Sequence, residues 1–125
     1  MNATTCVNMT KMALPELEKA AAGRIVNIGA GGAIVAAVGM GGYAASKAAV
    51  HKLTESLAAE LNGTSVTVNA VLPSIIDTPV NRADMPDADF GQWVQPAALA
   101  DVILFLSSSA ARAISGALVP VTRGA

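Results

Sequence analysis

Two short apolar runs rich in β-branched residues constrain the fold more than any other feature of the sequence. They are GRIVNIG at 23–29 and SVTVNAVLP at 65–73. An apolar run between glycines is typical of a strand that is buried on both faces. The proline that ends the second run cannot continue a ladder of backbone hydrogen bonds, so the strand is expected to end there.

Helical patterns and one further strand surround these two runs. Residues 3–20 carry apolar side chains at approximately helical spacing, with Pro15 as an expected kink or break. A long helix is predicted over 40–61, and a third helix over 95–109. GALVPVT at 116–122 predicts a final strand.

The order helix, strand, helix, strand, helix, strand indicates parallel pairing with right-handed crossovers. We therefore expect one α/β domain over 1–125, with a sheet of about three parallel strands covered by three main helices. Residues 74–95 show no periodicity, which predicts an irregular lid, a binding loop or a disordered segment. Doubly wound domains usually begin with a strand and a glycine-rich pyrophosphate turn, whereas this chain begins with a helix.

Composition and charge argue against several classes of function. Hydrophobic residues make up 53% of the chain and charged residues 14%, so part of the apolar surface is expected in a subunit interface. A net charge of -1 and an aromatic content of 3% give no case for nucleic acid. No membrane span or signal peptide is apparent. The lone Cys6 cannot form an internal disulfide, and together these features predict a cytoplasmic protein.

One stretch, GMGGYAASKAAVHKL at 39–53, carries a pair of chemically useful side chains. Tyr43 and Lys47 lie four residues apart at the start of the second predicted helix, so the phenol and the ammonium share a helix face. Such a pair indicates acid–base chemistry. No glycine-rich phosphate loop accompanies it in this sequence.

Several segments in the right order resemble the short-chain dehydrogenase/reductase family. They are GRIVNIG, YAASKAAV, LAAEL, VTVNAVLP, DTP and ISGALVPV. The resemblance runs from Met1 to about Thr122 and implies a truncated Rossmann-like fold, the C-terminal half of the family's domain without its nucleotide-binding half. LPSIIDTPVNRADMPDADFGQW is similar to the substrate-loop region of quinonoid dihydropteridine reductases, which assigns 74–95 to that loop and the chain to that branch.

The resemblance also implies catalytic roles. In the family a tyrosine exchanges a proton during hydride transfer, and a lysine four residues later supports it and holds the nicotinamide ribose. These roles map onto Tyr43 and Lys47. An asparagine in the preceding helix completes a proton relay, and Asn2 lies at about the right separation. The family's catalytic serine is replaced by Ala30, 13 residues before Tyr43, a loss that dihydropteridine reductases share.

The family binds NAD(P), and this sequence matches only the nicotinamide end of that site. Besides the tyrosine and the lysine, the matching positions are Pro73, Ser74, Ile76 and Thr78. Because the pyrophosphate-binding half is not matched, we expect this chain alone to bind NAD(P) weakly. No metal site is expected, since the acidic residues of the 74–95 loop do not have the spacing of a calcium loop.

Three functions of different classes remain open from the sequence. The first is an oxidoreductase acting on a small molecule, with the nucleotide half supplied by a partner chain or an upstream segment. The second is a cofactor-independent hydrolase of an ester, lactone or β-lactam, which would use Tyr43 and Lys47 with Ser46 as the candidate nucleophile, although no hydrolase signature is present. The third is a non-catalytic remnant that only assembles.

Assembly is expected from two features. The resemblance implies a homo-oligomer, a dimer or tetramer, through the first helix and the Tyr43 helix. It also leaves one edge of the GRIVNIG strand unpaired. Other side chains have structural interpretations: His51 on the helix surface, Trp93 as a plug for the loop, Met9, Met12 and Met40 as core or interface residues, and Ser107–Ser109 as a helix end.

Overall fold

The computed structural model describes residues 2–124, and Met1 and Ala125 of the predicted domain lie outside this range. Its elements in chain order are α1 (Asn2–Lys19), β1 (Arg24–Ile28), α2 (Gly41–Glu60), β2 (Thr67–Pro73), α3 (Pro79–Asp84), α4 (Pro96–Ser107) and β3 (Leu118–Val121). Short 3-10 turns lie at Gly31–Ala33, Phe90–Gln92 and Ser109–Ala111.

The three strands form one parallel sheet with β2 in the centre. Arg24 pairs with Thr67 between β1 and β2, and Ala70 pairs with Leu118 between β2 and β3. β2 is buried along its whole length. The predicted α/β class and the predicted parallel pairing are therefore confirmed.

The two faces of the sheet pack against different helices, because successive side chains of a strand point to opposite faces. On one face Ile25 and Val68 pack against α1 and α2, in a cluster completed by Leu14, Leu17, Leu57, Ala58, Leu61 and Val66. On the other face Val26 and Val71 pack with Leu99 and Leu106 of α4. The sheet is thus covered by helices on both sides.

The local structure differs from expectation in two places. Of the kink or break expected at Pro15, the break is wrong, because α1 continues through this residue. The 74–95 segment, predicted as irregular, contains α3, a 3-10 turn and a parallel bridge between Ile76 and Val94. Thr78 begins α3 by accepting a hydrogen bond from the Asn81 amide at 3.2 Å, but the helix is only six residues long and gives no periodic signal.

The predictions for individual side chains are confirmed in part. Trp93 is 5% exposed and its ring centroid lies 4.8 Å from that of Phe90, which confirms it as an apolar plug of the loop. Met9 and Met12 are 65% and 77% exposed, so a core position is wrong for them, and an interface position stays a prediction. Met40, at 44%, is exposed as well. Ser107 and Ser108 bond to carbonyls of the preceding turn, as expected at a helix end.

Candidate active site

A cleft of about 710 Å³ opens at the carboxyl ends of β1 and β2. Gly29 and Ala30 line it after β1, Tyr43 and Lys47 line it from α2, and Pro73–Ile76 line it after β2. In open parallel sheets this end of the strands is where ligands bind. The fold therefore brings the predicted tyrosine and lysine to the position where a ligand is expected.

The first turns of α2 present the pair to this cleft. Tyr43 is 45% exposed, which leaves its phenol accessible from the cleft. The Lys47 ammonium donates a hydrogen bond to the Ile28 carbonyl at 3.0 Å. This bond directs the lysine side chain toward the end of β1, and an ammonium has three donors, so two of them remain available for other partners.

Three polar contacts from one face of α2 fix the end of β1. They connect Lys47 Nζ to the Ile28 carbonyl, the Ala30 amide to His51 Nε2 at 3.1 Å, and Asn27 Nδ2 to Thr54 Oγ1 at 2.9 Å. The helix residues are spaced by four and three positions, so they share a face. The histidine and threonine contacts were not predicted, although the spacing of His51 from Lys47 could have indicated the histidine contact.

His51 is 5% exposed, so its predicted position on the helix surface is wrong. The reason is Gly29, where a Cβ atom would overlap the imidazole and lie 2.6 Å from its Cδ2 atom. The missing side chain lets the ring reach the sheet. Burial lowers the pKa of His51 below its ordinary value, and Lys47 and Lys52 act in the same direction while Glu55 opposes them.

Asn2 and Ser46 lie beside each other but not among the residues of this cleft. Asn2 Nδ2 donates to Ser46 Oγ at 3.3 Å, and Ser46 Oγ donates to the Tyr43 carbonyl at 2.8 Å. Asn2 lines a second groove of about 630 Å³ between α1 and β1, which Lys47 also reaches. The relay role of Asn2 stays a prediction, and this geometry gives no support to Ser46 as a nucleophile, because its hydroxyl is bonded to the helix backbone.

The residues predicted to hold the nicotinamide have two different placements. Pro73, Ser74 and Ile76 line the cleft together with Tyr43 and Lys47. Thr78 instead caps the amino terminus of α3. The Ser74 amide donates to the Val121 carbonyl at 3.1 Å, which ties this turn to β3.

A charged cluster that was not predicted from the sequence connects parts of the segment after β2. Arg82 donates two hydrogen bonds to the Asp77 carboxylate, at 2.6 and 2.7 Å, and Gln95 Nε2 donates a third at 3.0 Å. These bonds from Arg82 and Gln95 lower the pKa of Asp77 to about 2. The Arg82 guanidinium also lies 4.6 Å from the centroid of the Phe90 ring, so the cluster joins both ends of the loop.

Residues 2–124 contain no group of three histidine, cysteine or acidic side chains that could bind a metal ion. In the same range, no helix is both long and apolar enough to cross a membrane.

Known proteins with similar sequences support a family assignment. Residues 1–89 match the model of the short chain dehydrogenase family. The chain is 37% identical, over 98% of its length, to a 3-oxoacyl-[acyl-carrier-protein] reductase of Pseudomonas aeruginosa, and 34% identical over 94% to that of Thermotoga maritima. These alignments cover 53% and 51% of the relatives, so the chain spans about half their length.

Solved structures agree with this assignment. A short-chain type dehydrogenase/reductase from Mycobacterium ulcerans superposes with a TM-score of 0.89 at 26% identity, covering 98% of this chain and 50% of that one. An actinorhodin polyketide ketoreductase with NADPH superposes with a TM-score of 0.85 at 29% identity, covering 99% and 56%.

The names of these relatives give no support to the dihydropteridine reductase branch, since the two sequence relatives are 3-oxoacyl-[acyl-carrier-protein] reductases. None of these names is that of a hydrolase. The family match, the three parallel strands and the superposed half-domains agree: this chain belongs to the short-chain dehydrogenase/reductase family and corresponds to half of that family's Rossmann-like fold.

Proposed function

We propose that this chain is the catalytic half of an NAD(P)-dependent carbonyl reductase or alcohol dehydrogenase. The observation that supports this is the shared cleft, in which Tyr43 and Lys47 lie beside the ends of β1 and β2. Tyr43 gives the proton of its hydroxyl to the carbonyl oxygen of a substrate, or takes it back in the opposite direction. The positive charge of Lys47, one helical turn away, stabilises the phenolate that this transfer leaves.

The residues of the cleft fit the nicotinamide end of NAD(P). A volume of about 710 Å³ is within the usual range of small-molecule sites. The free donors of Lys47 suit ribose hydroxyls, and Pro73 and Ile76 offer apolar contacts to the ring. When bound, the cofactor supplies the hydride, while this chain orients the substrate and handles the proton.

The substrate class that the cleft favours is an uncharged ketone whose carbonyl is flanked by apolar groups. Among the side chains that line the described cleft, Lys47 is the only charged one, and the apolar members include Ile28, Met40, Ile75 and Met85. The names of the two sequence relatives add support for a 3-oxoacyl thioester as the substrate. We place the chain nearer to such reductases than to dihydropteridine reductases.

A chimeric enzyme tests this function. The nucleotide-binding half of the Pseudomonas aeruginosa relative, fused ahead of this chain, is expected to reduce acetoacetyl-CoA with NADPH or NADH. The matched control is the same fusion with Tyr43→Phe. A fusion that binds NADPH tightly and yet reduces no carbonyl compound would instead support a non-catalytic assembly role.

The chain alone is expected to bind NADPH and NADH with dissociation constants weaker than about 100 μM. This sequence matches the part of the family's site that holds the nicotinamide, but not the helix amino terminus that holds the pyrophosphate. The missing pyrophosphate contacts are expected to remove several kcal/mol of binding free energy. Calorimetric titration measures this directly, with the intact Pseudomonas aeruginosa relative as the positive control. A low-micromolar constant for this chain would contradict the expectation.

We also propose that the chain forms a dimer or tetramer through α1 and α2. Val7, Met9 and Met12 leave an apolar surface exposed on α1, and β1 lies at an edge of the sheet. Covering these surfaces is expected to bury more than ~2,000 Å² per interface. Light scattering at micromolar concentration checks this, and a stable folded monomer of 12.5 kDa would exclude it.

A further inference from the structure

His51 is a buried titratable group bonded to the backbone that lines the cleft. It is the only histidine of the chain. The Ala30 amide donates to its Nε2 atom at 3.1 Å, and each of the two residues is 5% exposed. Because Nε2 accepts this bond, the imidazole is neutral and carries its proton on Nδ1.

The bond lies where the ladder between β1 and β2 ends. The Gly29 amide donates to the Val71 carbonyl at 2.8 Å, within the sheet, whereas the next amide, that of Ala30, bonds to His51 instead. The backbone then enters the 3-10 turn at Gly31–Ala33. The imidazole therefore holds the first backbone amide beyond the sheet, on the wall that the cleft shares with Tyr43.

We propose that His51 is a positioning residue whose neutral imidazole holds the Ala30 wall of the cleft, and that protonation of Nε2 releases this wall. A protonated Nε2 is a donor that faces the Ala30 N–H, another donor, so the bond is lost. Any effect of this release on catalysis rests on the proposed function. The coupling between the protonation of His51 and the Ala30 amide does not.

Burial disfavours the imidazolium of His51, and the charges around it modify this effect in both directions. Lys47 and Lys52 on the same helix disfavour the imidazolium, and Glu55 favours it. β2 has no titratable side chain, and Arg24 of β1 lies at the opposite end of its strand. On α1, Cys6 lines the groove between α1 and β1, and Lys11 lines a groove that Glu60 also lines. His51 lines neither groove.

Burial lowers the pKa of His51 from 6.5, so the unfolded chain takes up this proton before the folded chain does. The contribution of the neutral imidazole to stability is therefore complete above pH 6.5 and decreases as the pH falls below it. The wall is held at pH 7 and released in acid.

NMR on the isolated chain tests the coupling without any need for turnover. Between pH 8 and 4.5, the imidazole nitrogens of His51 and the amide of Ala30 are expected to shift with one common midpoint below 6.5. The Thr67 amide is the internal control, since it donates to the Gly23 carbonyl at the opposite end of the β1–β2 ladder, and its shift is expected to change less.

Two variants separate the hydrogen bond from simple packing. His51→Gln offers an amide oxygen that accepts without titrating, so Ala30 is expected to stay protected from hydrogen exchange and to lose the acid transition of its chemical shift. His51→Leu fills the space without an acceptor, so Ala30 is expected to exchange at least ~10-fold faster.

The proposal is overturned if Ala30 does not follow the titration of His51, or if His51→Gln keeps the same acid transition at Ala30. If His51→Leu does not fold, the titrations of the wild type and of His51→Gln still test the proposal. A chain that shows the expected coupling while its chimera reduces nothing would overturn the proposed function and support the positioning of Ala30.

Discussion

Replacing Tyr43 by phenylalanine is expected to lower kcat of the chimeric enzyme by at least ~1,000-fold, about 4 kcal/mol of transition-state stabilisation. The substitution keeps the ring that lines the cleft and removes only the hydroxyl oxygen to which we assign the proton transfer. The measurement is single-turnover reduction of acetoacetyl-CoA at saturating NADPH, so that changes in cofactor affinity do not enter.

Two further variants show whether the site is assigned correctly. Lys47→Ala is expected to lower kcat by at least ~100-fold, because it removes the charge beside the phenolate as well as the bond to the Ile28 carbonyl. Ser46→Ala tests the hydrolase hypothesis, in which Ser46 is the nucleophile. It is expected to keep the reductase activity, since among the described contacts Ser46 bonds only to Asn2 and the helix backbone. Full activity in Tyr43→Phe, or an equal loss in Ser46→Ala, would contradict the assignment.

The architecture was predictable because its signals are local. β2 is buried along its length and is correspondingly rich in β-branched residues, and the alternation of strands with helices leaves parallel pairing as the natural arrangement. The pairing of Tyr43 with Lys47 was predictable for the same reason, since a spacing of four fixes a helix face.

Most contacts that support the site were harder to predict, because their partners are distant in sequence. His51 is buried only because Gly29, 22 residues earlier, leaves room for its ring. Asp77 meets Gln95 across the whole 74–95 segment. α1 differs in this respect: its apolar spacing predicted a helix, and the helix forms, but none of the residues described in it is buried within the single chain.

The dihydropteridine reductase branch is not supported by the relatives, for a related reason. It rested on one segment of 22 residues around the substrate loop, and loops vary more between relatives than the elements they connect. The similarity to 3-oxoacyl-[acyl-carrier-protein] reductases extends over 98% of the chain in one case and therefore includes the strands and helices that define the cleft. Similarity across whole elements carries more weight than similarity within a loop.

Replacing Asn69 by leucine is expected to lower the free energy of unfolding by about 2 to 5 kcal/mol. Asn69 is fully buried in β2, where its Nδ2 donates to the Ile114 carbonyl at 2.9 Å and its Oδ1 accepts from the Ala117 amide at 3.0 Å. Leucine has a similar size but leaves both backbone groups buried without a partner. Urea denaturation at one fixed protein concentration measures the change.

The matched control is Asn62→Leu, the same substitution at an exposed position after α2, which is expected to change stability by no more than about 0.5 kcal/mol. The comparison matters for the site because Asn69 ties β2 to the segment that leads into β3, and β3 in turn accepts the Ser74 amide at the edge of the cleft. If Asn69→Leu lowers the free energy of unfolding by less than about 1 kcal/mol and leaves the m-value unchanged, water or backbone movement satisfies the Ile114 carbonyl and the Ala117 amide. In that case β3 would keep its place without Asn69, and the Val121 carbonyl would still accept the Ser74 amide.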